Sequence, residues 1–261
     1  MKYFSLLKKS IFFFLVFFFF SCASRKDIVF YQNIDGLENS QKSASYEIKI
    51  QPDDLLSIIV TAEDPEIAIP FNLRTVSIVR PNGQNFASGQ ESMQLYLVDA
   101  NGYIDFPVLG KLKLSGRTRT EITKMFQDKI SVYIKDPIIN FRIANFKISV
   151  QGEVNVPGSY TIDSERITLI EALTKANDLT VYGKRTNILI IRDSDGVKTF
   201  NRVDITKADF IHSPFYYLAQ NDVVYVEPNK ARINAAAVGP NTGVIISVTS
   251  LMITLITLIL R

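Results

Sequence analysis

Reactive side chains are scarce in this chain, which holds one cysteine, one histidine and no tryptophan in 261 residues. His212 has no cysteine or second histidine with which to share a metal, and Ser213-Pro214 behind it read as a loop. Asp193-Ser194-Asp195-Gly196 has the Asp-x-Asp spacing of metal-dependent glycosyltransferases. It lies between two apolar stretches, where Asp-Gly is the signal of a hairpin turn. Asp53-Asp54 and Glu63-Asp64 offer paired carboxylates, but acid–base work needs a defined separation, and a turn after Pro52 and a loop account for both pairs. No glycine-rich loop ends in a lysine that could hold nucleotide phosphates. The residues therefore predict no catalytic, cofactor or metal site, and no enzyme.

Cys22 carries a different chemistry. Lys2, Lys8 and Lys9 precede Ile11–Phe20, ten unbroken apolar residues. That is half of the roughly 20 needed to span a bilayer, so residues 1–21 read as a signal peptide. Ser21-Cys22-Ala23 then resembles a bacterial lipobox, with Phe19 where leucine is usual. In that motif the thiol takes a diacylglycerol and Cys22 becomes the first residue after cleavage; the alternative is an ordinary signal peptide with an incidental cysteine. Acyl chains contribute about 0.8 kcal/mol per buried methylene, enough in pairs to hold a terminus on a leaflet. Ala23, in place of a retaining aspartate, predicts sorting to the outer membrane. The three lysines also account for the whole excess of 29 basic over 26 acidic side chains. The remainder is neutral, which argues against a nucleic-acid partner.

The other end is apolar as well. Gly243–Leu260 contains no charge and stops at Arg261, and residues 235–261 are predicted as a transmembrane helix. Ser247, Ser250, Thr254 and Thr257 recur at spacings of three and four, so on a helix they share an arc of roughly 80°. Thr249 falls on the far side. Two readings stand side by side: a packing stripe for another helix, or the wet face of a pore enclosed by a ring of such helices.

Between the ends the patterning predicts two α+β units. In residues 46–145, Leu55–Thr61 reads as a buried strand, Pro65 to Gln90 as loop, and Leu95–Val98 with Tyr103–Phe106 as a hairpin around Asn101-Gly102. Lys111–Leu114 is a short strand, Thr118-Arg119-Thr120-Glu121 a capping box opening a helix, and Ile138–Ile143 a closing strand. In residues 146–230, Lys147–Val150 and Asp222–Val226 read as strands. Thr168-Leu169-Ile170-Glu171 caps a second helix, and Asn187–Arg192 with Val197–Phe200 form a hairpin. Residues 22–45, polar and rich in serine and asparagine, read as a lipidated N-terminus and tether.

Several of these segments resemble the polysaccharide export family, the Wza-type outer-membrane translocons. Tyr46-Glu-Ile-Lys-Ile-Gln-Pro-Asp-Asp-Leu is similar to the opening of its export domain, with Asp53 in place of a glycine. Gly102-Tyr-Ile-Asp-Phe-Pro-Val-Leu-Gly110 and Lys135-Asp136-Pro137 continue it. Val150-Gln-Gly-Glu-Val-Asn-Val-Pro-Gly-Ser-Tyr160 resembles the start of a soluble-ligand-binding β-grasp (SLBB) domain. Lys175-Ala176-Asn177-Asp178 stands where that family has Ala-Gly-Gly, and Asn221 replaces a glycine before Asp222. The resemblance implies an α+β protein, an export domain followed by a β-grasp domain and a C-terminal transmembrane helix, anchored by lipid at Cys22 with its soluble domains in the periplasm. It implies a homo-oligomeric ring, often an octamer, whose helices line a pore through Ser247, Ser250, Thr254 and Thr257. It implies polysaccharide as substrate and an inner-membrane polysaccharide co-polymerase, often a tyrosine autokinase, as partner. The competing expectation is a lipoprotein that binds glycan or peptidoglycan as an adaptor without a channel.

Overall fold

The computed structural model describes residues 26, 28–36, 47–79, 88–194, 196–237 and 242–259. Helices and strands are mixed in two successive hydrophobic cores. The first is built around β1 (Leu55–Thr61), whose alternation buries Leu56, Ile58 and Val60. Pro65, which fixes the first backbone angle, and the Asp64 carboxylate, which accepts from the Glu66 amide at 3.0 Å, start the short α1 (Pro65–Ala68). A 3-10 turn follows at Ile69–Phe71, and β2 (Arg74–Val79) pairs antiparallel with β3 (Ser88–Met93). The region expected to be loop therefore holds a helix and a hairpin.

β4 (Tyr96–Leu97) pairs with one side of β1, and β5 (Tyr103–Phe106) pairs with β6 (Gly110–Lys113). The turn expected at Asn101-Gly102 forms, with the Asp99 carboxylate accepting from the amides of Asn101 and Tyr103. It does not join a hairpin: β4 is taken up by β1 and β5 turns to β6, because Leu56 and Tyr96 are buried against each other. α2 (Arg119–Ile130) opens with the expected capping box and buries Ile122, Phe126 and Ile130. β7 (Ile138–Ile143) completes the three-stranded order β4-β1-β7.

The second core rests on a mixed sheet. It contains β8 (Lys147–Gly152), β9 (Gly158–Thr161), β11 (Gly183–Ser194), β12 (Val197–Val203) and β14 (Val223–Pro228), in the order β12-β11-β14-β8-β9. β14 and β8 run parallel and the other neighbours antiparallel. A short ladder joins β10 (Ile167–Thr168) to β13 (Tyr217–Leu218). α3 (Leu169–Lys175), again started by a capping box, packs Leu169, Ala172 and Leu173 into this core. Gly152 has φ +89, and a Cβ there would stand 2.1 Å from the Val226 carbonyl oxygen, so the parallel pair can close only over glycine.

Past β14 come α4 (Lys230–Ala237) and α5 (Thr242–Ile259). Among the described residues no helix is long and apolar enough to cross a membrane. Of the expected span over 235–261, residues 235–237 end α4 and residues 242–259 form the apolar α5, while the rest lie outside the described residues.

Candidate functional site

Every described side chain of α5 is exposed, its large apolar ones from 50% at Leu255 to 73% at Leu258. Soluble helices bury an apolar stripe, and this one packs on neither core. Ser247, Ser250, Thr254 and Thr257 lie on this one continuous helix, so their spacing places them on one face, with Thr249 opposite. Those of Ser247, Thr254 and Thr257 turn back onto the helix. Ser247 Oγ donates to the Gly243 carbonyl at 2.8 Å and Thr254 Oγ1 to that of Ser250 at 2.9 Å. Thr257 Oγ1 reaches the carbonyls of Ile253 at 3.0 Å and Thr254 at 2.8 Å. Each hydroxyl so engaged keeps its oxygen lone pairs free to accept from outside. Cys22, the expected lipidation site, lies outside the described residues.

The segment expected to be a tether is partly fixed. Tyr31 stacks on Phe210 at 5.6 Å, and the Arg185 guanidinium lies 5.8 Å from the centre of the Phe30 ring. The Gln32 amide donates to the Thr206 carbonyl at 2.8 Å, and Asn33 Oδ1 accepts from the Ala208 amide at 2.6 Å. Residues 28–36 are therefore a strap on the second core. Aromatic residues amid a polar run were the only sequence signal for it.

The two cores are coupled by Asn145. Its Oδ1 accepts from the Leu55 amide and its Nδ2 donates to the Asp53 carbonyl, both at 2.9 Å. Its own carbonyl accepts from Gln220 Nε2 at 2.9 Å, and Gln220, 2% exposed, also accepts from the Lys147 amide. Arg119 pairs with Glu165 across a cleft of about 480 Å³ between the units, and Arg142 donates to the Asp163 carbonyl. Within the second core, Arg192 holds the fully buried Asp222 through Nε at 3.0 Å and Nη2 at 2.7 Å. Burial raises the pKa of Asp222, opposed by that guanidinium. This is a structural ion pair inside a closed core.

The tempting chemical pairs come apart. Asp53 occupies a left-handed turn at φ +68, while Asp54 is 1% exposed. Desolvation pushes the Asp54 carboxyl up to about 6. Its Oδ2 accepts from the Gln51 amide at 2.8 Å, and its Oδ1 is buried with no partner among the described residues. Asp64 caps α1, and His212 ends a 3-10 turn. Asp193 and Ser194 finish β11, and Asp195 lies outside the described residues. No group of acidic, histidine or cysteine side chains among the described residues could hold a metal.

The described residues thus form two α+β units followed by an apolar helix that packs on neither core. The sequence profile of the polysaccharide biosynthesis/export proteins matches residues 42–144, and that of the SLBB domain matches residues 146–226. The chain belongs to the polysaccharide export family, which is a family of export proteins and not of enzymes. It is 30% identical over 218 residues to the EPS I polysaccharide export outer membrane protein EpsA of Ralstonia solanacearum, covering 81% of this chain and 56% of that one. The protein of the same name from Ralstonia nicotianae is 32% identical over 148 residues, 55% of this chain and 38% of the relative. The chain thus spans about half the length, or less, of the curated relatives it matches.

Proposed function

We propose that this chain is a subunit of an outer-membrane channel that exports capsular or extracellular polysaccharide, and that a ring of α5 helices lines its pore. The observation that carries this reading is α5 itself. It is apolar and exposed all round, with Ser247, Ser250, Thr254 and Thr257 on one face and, Thr249 apart, apolar side chains over the rest. In a ring the aliphatic surface meets lipid and the hydroxyls meet water and glycan. Eighteen residues make about 27 Å, a little less than the hydrocarbon thickness of about 30 Å, a mismatch that local thinning and oligomerisation accommodate. Hydroxyls bonded to their own backbone present acceptors to the hydroxyl groups of a passing sugar chain and offer no charge that would trap an acidic one.

In the same reading Cys22 carries the lipid, the ring is an octamer, the second unit is a β-grasp domain, and both units stand in the periplasm. Their distal face meets an inner-membrane co-polymerase of the tyrosine-autokinase kind. The test is native mass spectrometry of the detergent-extracted protein, with and without residues 235–261. A discrete high-order ring that loses its bound detergent on truncation is the expected result. A monomer or dimer in both forms overturns the channel and leaves a lipid-tethered adaptor for glycan or peptidoglycan.

A further inference from the structure

The second unit exposes apolar side chains at the end from which α4 leaves. Val156 is 46% exposed, Val181 73% and Tyr182 40%. They sit on loops that are firmly braced. The amides of Asn155 and Val156 donate to the carbonyls of Asp178 and Ala176 at 3.1 and 2.9 Å, and the Thr180 amide donates to that of Glu153 at 3.1 Å. The Asn229 amide donates to the Tyr182 carbonyl at 2.7 Å, which ties these loops to the start of α4. Arg232 of α4 lies over the Tyr182 ring at 5.6 Å and offsets Glu153 at 3.6 Å, and Lys230 beside it is exposed. Ile233 adds a further apolar side chain, 55% exposed.

We infer that this end of the second unit, with Val156, Val181 and Tyr182 foremost, rests on the headgroup layer of the phospholipid leaflet that α5 enters. The inference relies on the membrane reading of α5 given above. Three features favour a lipid surface as the occupant. Along the chain the platform is followed at once by α4 and, only four residues after that helix, by the apolar α5, which keeps it close in sequence to the point of entry. A tyrosine with an arginine over its ring is the amphipathic pair that sits at a membrane–water boundary, apolar body inward and polar tip outward. Arg232 and Glu153 offset one another, which leaves the exposed Lys230 to complement an anionic leaflet.

The absence of tryptophan gives a clean probe, because one introduced indole reports on one place. Full-length Tyr182→Trp, Ile253→Trp and Val132→Trp proteins are reconstituted into vesicles of phosphatidylethanolamine and phosphatidylglycerol. A phospholipid brominated near the top of its acyl chain serves as quencher. Ile253 lies on α5 and reports on helix insertion; Val132, 80% exposed on the first unit, is the remote control. The expected result is a blue-shifted emission that the brominated lipid quenches for Tyr182→Trp and Ile253→Trp, with Val132→Trp unaffected. An unquenched Tyr182→Trp beside a quenched Ile253→Trp overturns the platform and leaves the membrane helix standing. If Ile253→Trp also escapes quenching, α5 is not in the bilayer and both readings fall.

Discussion

Asp53, Asn177, Asp178 and Asn221 all hold the backbone in the left-handed region, at φ +68, +56, +67 and +63. These are the positions at or beside which this chain departs from the glycines of its family. Asparagine and aspartate tolerate that conformation better than other side chains with a Cβ, so the turns survive the exchange. Asn221→Ala is expected to destabilise the second unit by about 1 kcal/mol, and Asn221→Gly to stay within about 0.5 kcal/mol of the parent, read from urea unfolding. Asp54 makes a prediction of opposite kind. Its folded pKa, about 6, is above the ordinary carboxyl value, so its contribution is full below that ordinary value and is lost as pH rises toward 6. Moving from pH 7 to pH 5 should stabilise the parent by about 1 kcal/mol more than it stabilises Asp54→Asn, and equal pH dependence in the two proteins would contradict the burial argument. Neither role was legible beforehand: the sequence pattern shows a turn at Pro52, but which of two adjacent aspartates faces inward depends on Val98 and Gln51 closing around them.

At the scale of elements, most of the chain could be read in advance where a local rule governs it. Both capping boxes form because their four residues satisfy one another without help from elsewhere. β1, β7 and the β11–β12 hairpin follow from apolar runs and a turn signal. Pairings that depend on distant partners were not legible. β4 joining β1 and the β2–β3 hairpin are decided by which strand offers an open edge, which no local pattern encodes. α5 belongs to the legible class as a helix, and its stripe carries a direct prediction. Ser250→Leu combined with Thr254→Leu should abolish surface polysaccharide, measured in cells with the protein level checked, whereas Thr249→Leu on the opposite face should not. Export that persists in the double variant would make the stripe an ordinary packing face.

For the whole molecule, the relation between the two cores hangs on a few polar atoms. Removing the Asn145 side chain deprives the Leu55 amide and the Asp53 carbonyl of their partner. Asn145→Ala is expected to cost about 1–3 kcal/mol and to let limited proteolysis cut faster near residues 144–147 while each core stays folded. Nothing about Asn145 in the sequence marks it as a joint, because a joint is defined by what meets there. The strap offers one further consequence, and it concerns inheritance. The chain touches the second core at residues 28–36, departs to build the first core, and returns at Phe146 before running on to α5. The first unit is thus an excursion whose departure and return both lie on the second. A lineage can lengthen, shorten or exchange such an excursion by editing the middle of the gene while the strap and α5 pass down unchanged. Yet kinship in this family is read from the excursion itself, because the export-protein profile matches residues 42–144 while the strap at 28–36 lies outside both matched segments.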